Sequence, residues 1–325
     1  MSSITGRSDV DVAPSGDLTG STSRRGDRIF AGLSLGSGAL VVALIAAVAV
    51  FLLARAIPSL TSNSANFLTD RVWNPGGTPA QFGIPDLLWV TIISSVVAMI
   101  ISVPVAVGVA LFLTQYAPPR LARPFAAAID LLAAVPSIVY GLWGAYIVLT
   151  YLNTIQKGIG KALGWIPLFD LDPAIPNSIF AGSVILSIMI LPIVTALSRE
   201  VFAQTPATHK EAALALGATR WEVIRTAVLP FGRPGVISAS MLGLGRALGE
   251  TIAVLFIINT VPTFSWSIFT GGETFASRIA RDAGEFDTPQ KTGAYIAAGL
   301  VLFVLTFAVN AAARIVIERW KAFTE

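Results

Sequence analysis

Apolar residues cluster into long runs separated by short polar segments. A membrane span needs about 20 mostly apolar residues, and six runs qualify, at 29–57, 86–113, 126–152, 179–198, 234–259 and 292–317. The first contains Ala39 to Ala54 without a charge, and the fourth, Ile179 to Leu197, is the shortest. Pro136 and Pro192 fall inside the third and fourth runs and predict kinks there. Residues 1–28 are polar, mixing Ser, Gly and Asp, and read as a disordered tail rather than a signal peptide, because no A-x-A site closes the apolar stretch that follows. The pattern predicts an all-α membrane protein: a tail over 1–28 and a six-helix domain over 29–325.

Composition agrees. Of 325 residues, 54% are hydrophobic and 13% charged, with mean hydropathy +0.73. A soluble domain carries about 25% charged residues, so this chain lacks the charge to coat a soluble surface of its size. With 0 Cys and 1 His, a disulfide scaffold, a thiolate site and a multi-histidine metal site are all excluded. The net charge of +3 fits membrane orientation better than nucleic acid. With the N-terminus inside, the inner segments hold 14 of the 22 Lys and Arg residues and the outer segments 7, Arg246 lying within a span. That bias predicts both termini in the cytoplasm, as an even number of spans requires. The outer loops, at 58–85, 153–178 and 260–291, carry Trp73, Trp165 and several Pro and Gly residues. Such loops can meet an external partner or simply cap the bundle.

The longest inner connection, 199–233, has helical character. Thr208 precedes Glu211 by three residues, a capping-box spacing. Glu211, Ala212, Ala213, Leu214, Ala215 and Leu216 follow as good helix formers, and Gly217 is a natural stop. A second run, Thr219 to Ala227, places Trp221, Ile224 and Val228 on one face, with Pro230 ending it. Two short helices at the membrane surface either rest on headgroups or engage a soluble partner.

The fifth run carries the unusual chemistry. A charge inside a span costs about 2.5–3.5 kcal/mol and is usually functional. Arg246 and Glu250 are four apart, so on a continuous helix they share a face and can pair. Gly245 and Gly249 form a small-xxx-small spacing that permits close packing. The pair can fix a helix interface, or Arg246 can meet an oxyanion, which its planar fork suits, with Glu250 neutralising it between cycles. Thr91, Ser94, Ser95 and Ser102 are further polar residues in the second run, and Thr91, Ser95 and Ser102 fit one face. Hydroxyls there either satisfy backbone or line a pathway. Asp130 can pair with Arg123 or sit at a gate.

Glu211, Ala212, Ala213, Gly217, Leu229 and Pro230 resemble the "EAA loop" of ABC importer membrane subunits, with Ala227 at the position that family fills with Ile. The runs Leu131 to Gly144 and Gly243 to Thr251 are similar to the PstC-type permeases of phosphate-specific transport, and the likeness extends from about residue 85 onward. The resemblance implies a type I ABC importer permease fold in a bacterial cell membrane, with Glu211, Ala213 and Gly217 docking in the ATPase subunit. It implies phosphate passage at Arg246 and Glu250; Thr91 and Ser95 join them as pathway candidates only through their place on one face of the second run. It also implies three partners: a homologous PstA-type permease, a dimeric PstB-type ATPase and an extracytoplasmic PstS-type phosphate-binding protein.

The chain contains no G-x-x-x-x-G-K-[ST] phosphate cradle and no catalytic dyad, so it is expected to be no enzyme and to hold no cofactor or metal itself, ATP and Mg residing on the partner ATPase. Two other readings stay open: a permease for another oxyanion such as molybdate or sulfate, and an ion-driven secondary carrier or membrane scaffold.

Overall fold

The computed structural model describes residues 25–171 and 174–321. The tail predicted over 1–28 lies outside them apart from 25–28, which open a helix. The chain divides into two units, 1–50 and 51–325. The described part of the first is the leading portion of α1 (Arg25–Thr61), and everything below concerns the second.

From Phe51 onward, the end of α1 leads to a two-stranded antiparallel hairpin, β1 (Trp73–Asn74) and β2 (Gln81–Phe82), then α2 (Pro85–Leu111), α3 (Pro119–Ala133), α4 (Ser137–Trp143), α5 (Leu149–Leu163) and α6 (Ile179–Ala203). After these come α7 (Ala207–Ala215), α8 (Arg220–Val223), α9 (Leu229–Leu248), α10 (Ile252–Ile257), α11 (Phe275–Arg281) and α12 (Pro289–Lys321). Wide π-helical turns at Phe112–Tyr116, Gly144–Val148 and Ile224–Val228 extend α2, fuse α4 to α5 and fuse α8 to α9. Among the described residues six helices, α1 included, are long and apolar enough to span a bilayer.

Local chemistry explains the helix starts. Pro85 sits in the first turn of α2 with Asp86 beside it, where a missing N–H costs nothing and a carboxylate suits the dipole. Ser178 caps α6 by accepting from the Ala181 N–H at 3.3 Å. Thr274 and Ser277 cap α11 reciprocally.

The centre of the bundle is α6. In its most apolar window 72% of residues are buried, against 28% in α2, so α6 is surrounded by protein and α2 is not. It packs on α2, α9 and α10, with Ile185, Leu186, Met189 and Ile190 in one buried cluster with Val90 of α2, Ala247 of α9, and Val254 and Ile257 of α10. Close approach to α9 rests on glycines. A Cβ at Gly232 would lie 2.5 Å from the Phe202 ring, and one at Gly243 would lie 2.9 Å from Val194. The expectation that Gly245 and Gly249 make this contact is corrected: a Cβ at Gly245 would meet nothing within 4 Å.

Two spans fall elsewhere than their hydropathy suggests. The third runs over Ser137–Leu163 rather than 126–152, because Pro136 separates α3 from α4 instead of kinking one helix. The detached α3 packs on α6 through its one half-buried stripe, Ala122, Ala126, Ile129 and Ala133. The fifth runs over Arg220–Leu248 rather than 234–259. Pro230 does not end a helix, because the π-helical turn before it opens the ladder, the Leu229 N–H bonding the Ile224 carbonyl.

Candidate translocation site and coupling surface

Arg246 occupies the last turn of α9, and the helix stops at Leu248. Gly249 to Thr251 are unwound, and α10 resumes the path. This overturns the continuous helix on which Arg246 and Glu250 would share a face. No ion pair between them occurs among the described residues. Instead the buried Glu250 carboxylate accepts the Ala253 N–H at 3.1 Å, satisfying the first turn of α10. Each charge therefore sits at the dipole end that favours it, the cation at a C-terminus and the carboxylate at an N-terminus. Interrupted helices within a bilayer survive where their free backbone lines protein or a cavity.

Arg246 borders such a cavity. A cleft of about 410 Å³ is lined by Ile193, Met241, Leu242, Gly245, Arg246 and Asn310, from α6, α9 and α12. Arg246 is the one charged residue of that lining. Its Nε is buried and has no hydrogen-bond partner among the described residues. Tyr140 of α4 lies within its electrostatic reach. Gly245, with open space where a Cβ would be, keeps the cleft wide beside the guanidinium.

The hydroxyls of α2 are placed differently. Thr91 is buried, donates to the Leu87 carbonyl at 2.7 Å and accepts from the Phe275 N–H at 3.1 Å, tying α2 to α11. Ser95 is buried and donates to the Thr91 carbonyl at 2.8 Å. Neither lines the Arg246 cleft. Ser102 is also fully buried, and its hydroxyl has no partner among the described residues. Asp130 pairs with Arg199 of α6 at 3.2 Å rather than with Arg123, because the stripe that packs α3 on α6 brings those two side chains together.

On the connection between α6 and α8, α7 presents Glu211 and Ala212 outward, with Ala213 half-buried. Its start is not the expected Thr208 box: the N-cap is Pro206, and the reciprocal capping pair is Thr219 with Glu222 at α8. Its end is a Schellman motif. The Gly217 N–H bonds the Leu214 carbonyl at 2.9 Å and the Ala218 N–H bonds the Ala213 carbonyl at 3.1 Å, with Gly217 at φ +83°. Ile224 and Val228 are buried as their spacing predicts, but Trp221 is 57% exposed, and Val223 takes the inward place. Leu216, 89% exposed, joins Trp221 and Leu214 in an uncovered apolar surface around Gly217 that the sequence reading did not single out. Leu229 and Pro230 lie half-buried at the junction to α9.

Near the loop that follows α10, Glu273 is held by Arg278 and by Arg281 at 2.5 Å, and it accepts from the Thr260 hydroxyl at 2.9 Å. Burial alone would lower the Arg278 pKa, but the Glu273 and Asp282 carboxylates outweigh it and hold the guanidinium above its ordinary value. Arg71 stacks on the Phe264 ring 3.5 Å from its centroid. This cluster fixes loop 260–272 over the bundle.

Six helices of spanning length among the described residues, an interrupted span with a lone cation at a cleft and an exposed helix pair with an apolar tip together point to a polytopic transport permease. Comparison with known proteins gives the family. Residues 102–322 match the model of the binding-protein-dependent transport system inner membrane component. The chain belongs to that family, in its PstC branch. It is 54% identical over 296 residues to the phosphate transport system permease protein PstC 2 of Mycobacterium tuberculosis, covering 90% of this chain and 91% of that one. It is 52% identical over 309 residues to the PstC permease of Mycobacterium leprae, covering 93% and 97%. Among solved structures it resembles an inward-facing MetNI methionine ABC transporter (16% identity, TM-score 0.51, 73% of this chain and 94% of that one). It also resembles a bacterial ABC transporter involved in alginate import (16%, 0.50, 72% and 78%). These two likenesses show the type I ABC importer permease fold. The chain is thus a multi-pass membrane subunit of a multi-subunit importer and a transport component rather than an enzyme, which removes the secondary-carrier and scaffold readings.

Proposed function

We propose that the chain translocates inorganic phosphate into a bacterial cell, as one of two homologous permease subunits driven by a dimeric ATPase and supplied by an extracytoplasmic phosphate-binding protein. The observation that carries this reading is the Arg246 guanidinium, the one charge on its cleft, with a buried Nε that has no partner among the described residues. A phosphate oxygen is the acceptor such a group lacks, and the planar fork can take two oxygens in parallel. Glu250 then has a different task from neutralising Arg246: it holds the break at Gly249 open by capping α10. Thr91 ties α2 to α11 while Ser95 bonds within α2, and both shape the pathway indirectly. The names of the PstC relatives support phosphate over molybdate or sulfate.

In this reading both termini and α7 face the cytoplasm. Glu211, Ala212, Ala213 and Gly217 enter a cleft of the ATPase, where the exposed Leu216 and Trp221 add apolar contact, and Leu229 and Pro230 pass the motion into α9. ATP and Mg bind on the ATPase, and this chain holds no cofactor or metal. Bound ATP draws two such helix pairs together and opens the path outward, and hydrolysis returns it inward.

The test is labelled-phosphate uptake at low external phosphate in cells lacking the chain and complemented with the native, Arg246→Ala, Arg246→Lys or Glu211→Ala form, with sulfate and molybdate as competitors. Native complementation restores uptake that the competitors do not suppress, and Arg246→Ala and Glu211→Ala abolish it. Arg246→Lys retains charge without the fork and transports weakly. Uptake by Arg246→Ala at the native rate would refute the pathway assignment, and suppression by sulfate or molybdate would move the substrate to that anion.

A further inference from the structure

A second cationic cleft lies at the end of the bundle that carries α7. It measures about 410 Å³ and is lined by Thr114, Gln115, Arg123, Arg199, Glu200 and Lys210, with small residues of α3 and α6 between them. Three separate elements contribute its cations: Arg123 comes from α3, Arg199 from α6 and Lys210 from α7. Glu200 is the one carboxylate on the lining, and it is engaged by Gln204 at 3.3 Å. Asp130 takes the Nη2 of Arg199, donated to both its oxygens at 3.3 and 3.2 Å. The Nη1 of Arg199 is buried and has no hydrogen-bond partner among the described residues.

The surroundings indicate the ligand's class. On α3, flanking its packing stripe, Leu121 and Phe125 are 52% and 57% exposed, an uncovered apolar face on the side away from Arg123. A helix with that division lies at the level of lipid headgroups. Converging Arg and Lys side chains at that level suit a phosphate group, the guanidinium giving directed bonds and the ammonium a point charge.

We propose that this cleft is a binding site for a phosphate-bearing anion, either the headgroup of an anionic phospholipid or free inorganic phosphate, distinct from the Arg246 pathway. Lys210 immediately precedes Glu211, so an occupant bonded to Lys210, Arg123 and Arg199 ties the coupling helix to α3 and α6 and stiffens it. The proposal does not depend on which anion the chain transports.

The experiment is hydrogen exchange over α7 in the full-length chain carrying Arg246→Gln, so that phosphate at the pathway cannot contribute. The chain is placed in nanodiscs of phosphatidylcholine alone, titrated with inorganic phosphate at ionic strength fixed with sodium chloride, and in nanodiscs with increasing phosphatidylglycerol. Protection of α7 rises and saturates with one of the two, and the responding arm identifies the source. Arg123→Gln and Lys210→Gln, each added separately, shift the midpoint roughly tenfold upward, the scale of one lost charge-assisted hydrogen bond. Both variants leave the Asp130–Arg199 pair intact, so neither disturbs the α3–α6 contact directly. Protection that responds to neither anion, or that responds equally in the Gln variants, would overturn the proposal.

Discussion

Replacing Gly217 by alanine tests the coupling surface most cleanly. Its φ of +83° places the residue in the left-handed region, and a Cβ there would meet nothing within 4 Å. No clash therefore enters, and the whole cost is conformational, about 1–2 kcal/mol for a residue with a Cβ. Two bonds depend on that conformation, from the Gly217 and Ala218 N–H groups to the Leu214 and Ala213 carbonyls. A loss of 1–2 kcal/mol raises the population in which this turn is open by roughly 5- to 30-fold. Hydrogen exchange at the Ala218 amide reads that population directly, and Gly217→Ala accelerates it by this factor while the bundle's thermal midpoint holds. Asparagine tolerates the left-handed region better than alanine, so Gly217→Asn falls between the native chain and Gly217→Ala, and phosphate uptake follows the same order. Native-like exchange in Gly217→Ala, or a larger effect from Asn than from Ala, would refute the argument.

Four further outcomes follow from the packing. Gly243→Val drives a side chain into Val194 and costs about 1–3 kcal/mol, seen as a lowered unfolding temperature in detergent, whereas Gly245→Ala, in open space within α9, holds or slightly raises that temperature. Glu250→Gln keeps an oxygen for the Ala253 N–H and retains both fold and partial uptake; Glu250→Ala loses the cap, and uptake falls to background. Glu273→Gln weakens the hold on Arg278 and Arg281, whose side chains are 21% and 32% exposed. That exposure places the loss near 2 kcal/mol, below the usual cost of breaking a fully buried pair, and limited proteolysis of loop 260–272 reads it. Trp221→Ala leaves the chain's thermal midpoint unchanged and weakens co-purification of the ATPase subunit.

Six spans and the short helices on either side of Gly217 were legible because their signals are local: a 20-residue apolar run, and a glycine after helix formers. The third and fifth spans slid because hydropathy cannot distinguish a proline that breaks a helix from one that a wide turn absorbs. Pro136 does the first and Pro230 the second, and only the backbone around them decides. The Arg246 to Glu250 spacing misled for the same reason. Four residues apart implies one face only if the helix continues, and Gly249 ends it. Gly245 and Gly249 looked like packing glycines by spacing, but α6 faces the other side of α9, where Gly232 and Gly243 lie. Trp221 was placed inward because its spacing to Ile224 and Val228 fits a helical stripe, whereas the structure buries Val223 and leaves Trp221 exposed.

The wide turn at Ile224–Val228 has a consequence for insertions and deletions. Such a turn is one residue longer than the α-helical path between the same ends. Removing Ala227 would join those same ends by the α-helical path and leave α8, Gly217 and α7 where they are, but it would bring the Pro230 ring against a carbonyl one turn before it, which the wide turn now keeps clear. Removing a residue from the regular helix beyond the turn would instead rotate α8 and α7 by about 100° about the axis of α9 and shift them by about 1.5 Å. Every side chain of the α7–α8 surface would survive that change, yet it would face another direction. The wide turn is thus the place in this helix where one residue of length is absorbed without a change of phase.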